Sequence, residues 1–227
     1  MVNNFIFGYP TKVYFGKGCV KEYLASLLKN YGGTVLLSYG GGSIRKNGVY
    51  DEVMNIMDAA GKTVVEFSGI MSNPTYEKVQ EGAKLCREHQ VDFILAVGGG
   101  SVIDCCKIVS AQARLNEDIW EYETKQHDVP TSFIPMGAIV TASGTGAEMN
   151  NGAVITNTEK KIKCGMMGAH NDFAMLDPDY TQSVPFSQVV SGAFDTLSHA
   201  METYFGKPHE TNNLSDDISE AVMRSVI

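Results

Sequence analysis

A carboxylate and an imidazole four residues apart are the first chemical feature of this sequence. Asp195 and His199 lie in the apolar, helix-forming segment Gly192–Glu202. On a helix, residues at this spacing share a face with about 5 to 6 Å between their Cβ atoms, so both side chains can contact one cation. An oxygen ligand beside an imidazole suits Fe(II), Zn(II) or Mn(II). The pair predicts half of a divalent metal site, and the alternative is a surface or capping interaction.

A glycine turn between a predicted strand and a predicted helix is the second feature. Val91–Val97 has the pattern of a buried strand, and Gly98–Ser101 leads from it into the helical segment Val102–Val109. Glycines let the backbone approach a pyrophosphate, and unpaired helix N–H groups attract its charge. The turn therefore predicts an anion site, although it lacks the usual GxGxxG spacing. Alternatively, Ser101 and Asp104 form a capping box that only starts a helix.

Charge and cysteine content limit the class of protein. The 227 residues carry a net charge of -8, with a pI near 5.1, which argues against a nucleic-acid or anionic-membrane surface. No basic cluster exceeds Lys160–Lys163. The five cysteines are odd in number and unpatterned, and the N-terminus lacks a signal peptide, so we expect a cytoplasmic protein with reduced thiols.

Strands and helices alternate in the first part of the chain. A hairpin of Phe5–Phe7 with Val13–Phe15 and a helix over 18–30 are expected first. The alternation predicts a mostly parallel sheet with helices on both faces and ligands at the carboxyl ends of its strands. The predicted strands are 34–38, 63–67, 93–97 and 132–136, and the predicted helices are 44–60, 75–90 and 102–115.

The second part of the chain changes character. Residues 151–156, 161–166 and 173–176 have the pattern of later, partly antiparallel strands. From Phe186 onward the pattern is helical, and it ends in the amphipathic segment Leu214–Ile227.

Ordered motifs extend along the whole chain. They are Tyr39–Ser43 with Asn47-Gly48, Asn73-Pro74, Gly98–Asp104, Thr141–Met149, Leu176–Pro178 and Asp195–Ala200. Together they resemble the motifs of the iron-containing (group III) alcohol dehydrogenases, in particular the NADPH-linked butanol dehydrogenase and aldehyde reductase branch. This resemblance implies a dehydroquinate synthase-like fold, with a Rossmann-like α/β domain over 1–185 and the beginning of an all-helical metal-binding domain over 186–227.

The resemblance also implies coenzyme contacts at matching positions. Thr141 and Thr145 would line the phosphate and nicotinamide side, where short hydroxyl side chains donate hydrogen bonds without filling the space. Lys161 matches a lysine near the nicotinamide ribose, with Lys160 and Lys163 as alternatives. The other expected contacts are Gly98, Gly99, Gly100 and Ser101 at the pyrophosphate, Asn73 beside it, Asp104 near the nicotinamide ribose, and Thr181 and Val184 near the adenine.

The end of the second strand indicates which coenzyme is used. NAD-dependent relatives place an acid there, which bonds the ribose 2′-hydroxyl and repels a 2′-phosphate. Gly40, Gly41, Gly42 and Ser43 occupy that place here. Backbone N–H groups and a serine hydroxyl can bind a phosphate, with Arg45 or Lys46 adding positive charge, so NADP(H) is expected.

The resemblance implies hydride transfer between the nicotinamide and a primary alcohol or aldehyde such as butanol or butanal, with Asp195 and His199 expected as metal ligands and catalytic residues. Fe(II) is the expected metal, and zinc is the alternative. The family's two further histidine ligands have no match in these residues. Two other readings therefore stay open: a metal-free NADP-binding fragment and a glycerol-dehydrogenase-like zinc and NAD enzyme. The apolar hairpin at the N-terminus predicts a homodimer.

Overall fold

A computed structural model of the chain describes residues 8–206 and 213–227. The strands are β1 (Lys12–Phe15), β2 (Thr34–Tyr39), β3 (Thr63–Phe67), β4 (Phe93–Gly98), β5 (Met136–Val140), β6 (Gly152–Asn157), β7 (Ile162–Met167) and β8 (Phe173–Leu176). The helices are α1 (Cys19–Leu28), α2 (Ser43–Lys46), α3 (Val49–Ala59), α4 (Tyr76–Glu88), α5 (Gly100–Arg114), α6 (Ile119–Thr124), α7 (Pro178–Thr181), α8 (Phe186–Tyr204) and α9 (Leu214–Val226), with a 3₁₀ turn at Ala147–Met149.

Six strands form one parallel sheet in the order β1-β8-β5-β4-β2-β3. Strands β6 and β7 form a separate antiparallel pair. All six residues of β4 are buried, as expected for a parallel strand covered on both faces by helices. The α/β class predicted from the sequence is confirmed.

Alternate residues of the central strands supply two hydrophobic cores. Leu36 and Ile94 face a core that includes residues of α4 and α5. Leu37 and Phe93 face the opposite core, which includes residues of α1 and α3. Because successive side chains of a strand point to opposite faces, one sheet can anchor helices on both sides and hold its strand ends rigidly.

Several predicted elements need correction. The single helix expected over 44–60 is two helices, because Gly48 adopts a left-handed φ of 83° between α2 and α3. The strand expected over 132–136 begins only at Met136, since Pro135 has no N–H to donate to a sheet. Strand β1 pairs in parallel with β8. Its predicted hairpin partner, Phe5–Phe7, lies outside the described residues.

The last two helices pack on each other rather than into the sheet. Helix α8 contains no buried residue, whereas ten of the fifteen residues of α5 are buried. Among the helices that the structure describes, none combines the length and hydropathy needed to cross a bilayer.

Candidate active site

The carboxyl ends of β2, β4 and β5 meet at a cleft of about 400 Å³. Parallel strands end at the same edge of a sheet, so the turns that follow them are brought together. Both glycine clusters reach this cleft, although they are almost 60 residues apart in sequence. The expected residues that line it are Gly40, Gly41, Ser43, Gly98, Gly99, Gly100, Ser101 and Thr141.

Close packing explains the glycines between β4 and α5. A Cβ atom on Gly98 would lie 2.5 Å from the side chain of Val102, and one on Gly100 would lie 2.5 Å from Thr145 Oγ1. Gly99 precedes the helix and no side chain caps it. The free N–H groups at the start of α5 therefore face the cleft and can bind an anion. The alternative of a capping box between Ser101 and Asp104 is not formed, because Gly99 is the N-cap residue.

Asp104 has a different partner. Its Oδ2 atom accepts a hydrogen bond of 3.0 Å from the N–H of Val154, and its Oδ1 atom lies 3.6 Å from Nζ of the fully buried Lys107. Lys107 also donates to Asn150 Oδ1 and to the carbonyl of Gly152. Burial raises the pKa of Asp104 and lowers the pKa of Lys107. This pair joins the first turns of α5 to β6.

Asp195 and His199 lie on one face of α8, as predicted. His199 Nε2 is 3.9 Å from Asp195 Oδ1, and the two side chains are 57% and 43% exposed, so both can accept a further partner. A Cβ on Gly144 would lie 3.4 Å from Asp195 Oδ2 and 3.3 Å from the Cα of Gly192. The oxygen and nitrogen donors suit a divalent metal. In residues 8–206 and 213–227, no three His, Cys, Asp or Glu side chains form a group that could hold a metal ion.

Two largely apolar cavities flank this pair. His199 and Thr145 line both of them. One, of about 560 Å³, extends past Asp104 to Met166. The other, of about 570 Å³, extends between α8 and α9 past Leu214. Such walls with a few polar groups are typical of small-molecule sites.

The remaining expected residues are not among those that line this cleft. Asn73 adopts a left-handed φ of 54°, and its Oδ1 accepts a hydrogen bond of 2.7 Å from Lys163 Nζ. Lys161 occupies the exposed turn between β6 and β7, and Lys160 pairs with Glu121. Thus Lys163 is the lysine that reaches Asn73. Thr181 and Val184 line an adjoining cavity of about 260 Å³. Gly42 lies in the turn with a left-handed φ of 97°.

Two features of the site have no signal in the sequence. Gln188 of α8 also lines the cleft formed by the glycine turns. Arg45, which is with Lys46 one of two residues expected to add positive charge near the turn, donates to Tyr39 and pairs with Glu66. Gln188 belongs to α8 and Glu66 to β3, so residues near the turn in sequence could not have indicated either of them.

A parallel sheet with glycine turns at its carboxyl edge is typical of nucleotide-binding α/β proteins. Residues 10–178 match the model of the family described as iron-containing alcohol dehydrogenase, and the chain belongs to this family. It is 44% identical, over its whole length, to the probable NADH-dependent butanol dehydrogenase 1 of Bacillus subtilis. It is 39% identical to the NADPH-dependent aldehyde reductase YqhD of Escherichia coli. The chain spans 58% of the length of each relative.

Solved structures show the same fold. The NADH-dependent butanol dehydrogenase A of Thermotoga maritima superposes with a TM-score of 0.89 at 38% identity, covering 98% of this chain and 56% of that protein. Escherichia coli YqhD superposes with a TM-score of 0.88 at 39% identity, covering 99% of this chain and 57% of that protein.

Proposed function

We propose that this chain carries the coenzyme site and two metal ligands of an oxidoreductase that transfers hydride between NADP(H) and a primary alcohol or aldehyde such as butanol or butanal. The observation that carries the proposal is the single cleft to which both glycine turns and Thr141 contribute. A smaller cavity shares Gln188 with this cleft and Thr196 with the cavity that His199 lines. We assign residues 1–185 to the coenzyme domain and 186–227 to the beginning of the helical domain.

The Gly40–Ser43 turn supports NADP(H) as the coenzyme. The proteins similar to this chain include NADH-dependent and NADPH-dependent enzymes. The proposed coenzyme therefore rests on this chain's own residues. Gly41 has open space around it and the turn contains no acid. A 2′-phosphate can approach the backbone N–H groups and the Ser43 hydroxyl without repulsion from a carboxylate in the turn.

The remaining site residues are proposed to bind and orient the two reactants. The N–H groups of Gly98–Ser101 would hold the pyrophosphate, with Asn73 beside it and Asp104 toward the nicotinamide ribose. Lys163, through Asn73, is a better candidate than Lys161 for the lysine at this site. Asp195 and His199 would hold Fe(II), or zinc in its place. When bound, such a metal supplies Lewis acidity to the oxygen of the alcohol or aldehyde.

Coenzyme binding tests the central proposal. We expect NADPH to bind the purified 227-residue chain and to be displaced by NADP⁺, because turns of this chain that follow the sheet strands line the cleft. Isothermal titration and nicotinamide fluorescence would measure both affinities. Binding of NADPH no tighter than that of NADH would contradict the proposed coenzyme.

Metal content tests the proposed metal site and distinguishes it from the alternative of a metal-free coenzyme-binding module. Two ligands hold a metal weakly, so we expect substoichiometric iron by elemental analysis and no NADPH oxidation with butanal. His199→Ala should reduce the iron further. Stoichiometric iron that persists in His199→Ala would show that other residues form the metal site.

A homodimer is the proposed assembly. Strand β1 lies at the edge of the sheet, and its Val13 and Phe15 side chains are 43% and 75% exposed. An exposed edge strand can pair with a second chain. Light scattering at micromolar concentration should give twice the chain mass, and a strictly monomeric mass would contradict the dimer.

A further inference from the structure

Two residues that flank the Gly40–Ser43 turn belong to one charged cluster. Tyr39 ends β2 and Arg45 lies in α2. The guanidinium of Arg45 donates to the Tyr39 hydroxyl oxygen at 3.0 Å from Nε and at 2.6 Å from Nη2. Nη2 also lies 2.5 Å from Glu66 Oε2 on β3. The arginine side chain therefore bends back across the turn toward the edge strand.

Two tyrosines hold the Glu66 carboxylate. Tyr39 donates to Oε2 and Tyr50 donates to Oε1, each at 2.6 Å. These hydrogen bonds keep the pKa of Glu66 below its ordinary value, so its charge is present at neutral pH. The guanidinium of Arg45 also stacks 3.9 Å from the ring centroid of Tyr50. We name Tyr39, Arg45, Tyr50 and Glu66 the Glu66 cluster.

The Glu66 cluster is next to the coenzyme cleft. Ser43 and Ile44 line the cleft, and Arg45 follows them directly. A charge in this position lies within about one Debye length, roughly 8 to 10 Å, of a phosphate bound to the turn. Without Glu66 the nearby arginine would attract that phosphate, and with Glu66 the pair is close to neutral.

We propose that Glu66 is a specificity-determining residue, whose carboxylate offsets Arg45 and thereby lowers the preference of the turn for a ribose 2′-phosphate over a 2′-hydroxyl. This inference rests on the proposed coenzyme cleft. The Arg45 and Glu66 side chains are 46% and 41% exposed, so their pairing contributes little to stability. The charge of the Glu66 carboxylate, however, acts on a phosphate dianion and hardly at all on an uncharged hydroxyl.

Glu66→Gln tests this role, because an amide keeps the shape of the side chain and one of its two acceptor oxygens while removing the charge. The probes are adenosine 2′,5′-bisphosphate and 5′-AMP, titrated calorimetrically into the 227-residue chain. We expect binding of the bisphosphate to strengthen about three- to tenfold while binding of 5′-AMP changes less than about twofold. Arg45→Gln should weaken the bisphosphate by a similar factor. High KCl should shrink both effects, which a purely structural role would not predict.

Glu220→Gln is the matched control. Glu220 of α9 accepts from the hydroxyl of Tyr204 at 3.2 Å and pairs with Arg224 at 2.9 Å, so it repeats the same chemistry away from the turn. It should leave the ratio of the two affinities unchanged. An unchanged ratio in Glu66→Gln, or an equal change for both probes, would overturn the inference while leaving the cleft intact. A parent chain that binds neither probe would overturn the coenzyme cleft and this inference with it.

Discussion

The sheet region and the helical region of this chain differ in how far they bury their own apolar residues. Phe93 in β4 is fully buried and stacks on Phe173 at 5.7 Å. Phe194 in α8 is 67% exposed, and Phe186 and Phe205 are more exposed still. The proposed coenzyme cleft therefore lies on a packed scaffold, whereas the two candidate metal ligands belong to a helix that buries none of its own residues. Coenzyme binding and metal binding should consequently respond to different mutations.

The largest expected effect comes from matched truncations in the two regions. Phe93→Ala should lower the free energy of unfolding by about 3 to 5 kcal/mol, because it leaves a cavity among buried rings. Phe194→Ala should change it by less than about 0.5 kcal/mol, because that ring is exposed. Urea denaturation followed by circular dichroism measures both. Equal losses would mean that α8 is packed as tightly as the sheet.

The next effect concerns the turn at the end of β2. Gly41→Asp should shift preference from NADPH toward NADH by about 1 to 3 kcal/mol, the scale of a charged hydrogen bond gained or lost. Nothing lies within 4 Å of an added Cβ there, so the side chain fits. Dissociation constants for both coenzymes give the measurement. Gly41→Asn is the neutral control, and a shift of equal size in that variant would exclude charge as the cause.

A smaller effect is expected from pH. Burial raises the pKa of Glu123 to about 7, and its Oε1 atom has no hydrogen-bond partner. Between the ordinary glutamate pKa and about 7, the folded state binds the extra proton, so stability falls as pH rises through this window. We expect a loss on the order of 1 kcal/mol after discounting for partial exposure. Glu123→Gln should flatten the profile of unfolding free energy against pH in this window. An unchanged slope would show that other groups cause the pH dependence.

The smallest effect sharpens the comparison most directly. His199→Ala should change the NADPH dissociation constant of the chain by less than about twofold, because the glycine turns that line the cleft belong to the sheet region. Ser101→Ala, within the cleft, is a positive control expected to weaken binding measurably. A large loss of NADPH affinity in His199→Ala would show that the two regions are coupled.

Local patterns predicted most of the sheet. Strands β3 and β8 match their predicted bounds, because each is a short segment rich in β-forming or apolar residues between turn residues. The predicted strand at 132–136 begins too early because of Pro135, and it misses the rest of β5 because Gly137 has no side chain to signal burial. The structure shows why it is there: a Cβ on Gly137 would lie 2.4 Å from the ring of Phe173.

The sequence by itself determined the α/β class, the two glycine turns and the shared helical face of Asp195 and His199, since each follows from residues close together in the chain. Tertiary structure alone decided which distant segments meet. It placed both glycine turns in one cleft, joined Lys163 to Asn73, and paired Arg45 with Glu66. Those contacts depend on strand order and on side-chain reach across elements, which no local pattern of residues encodes.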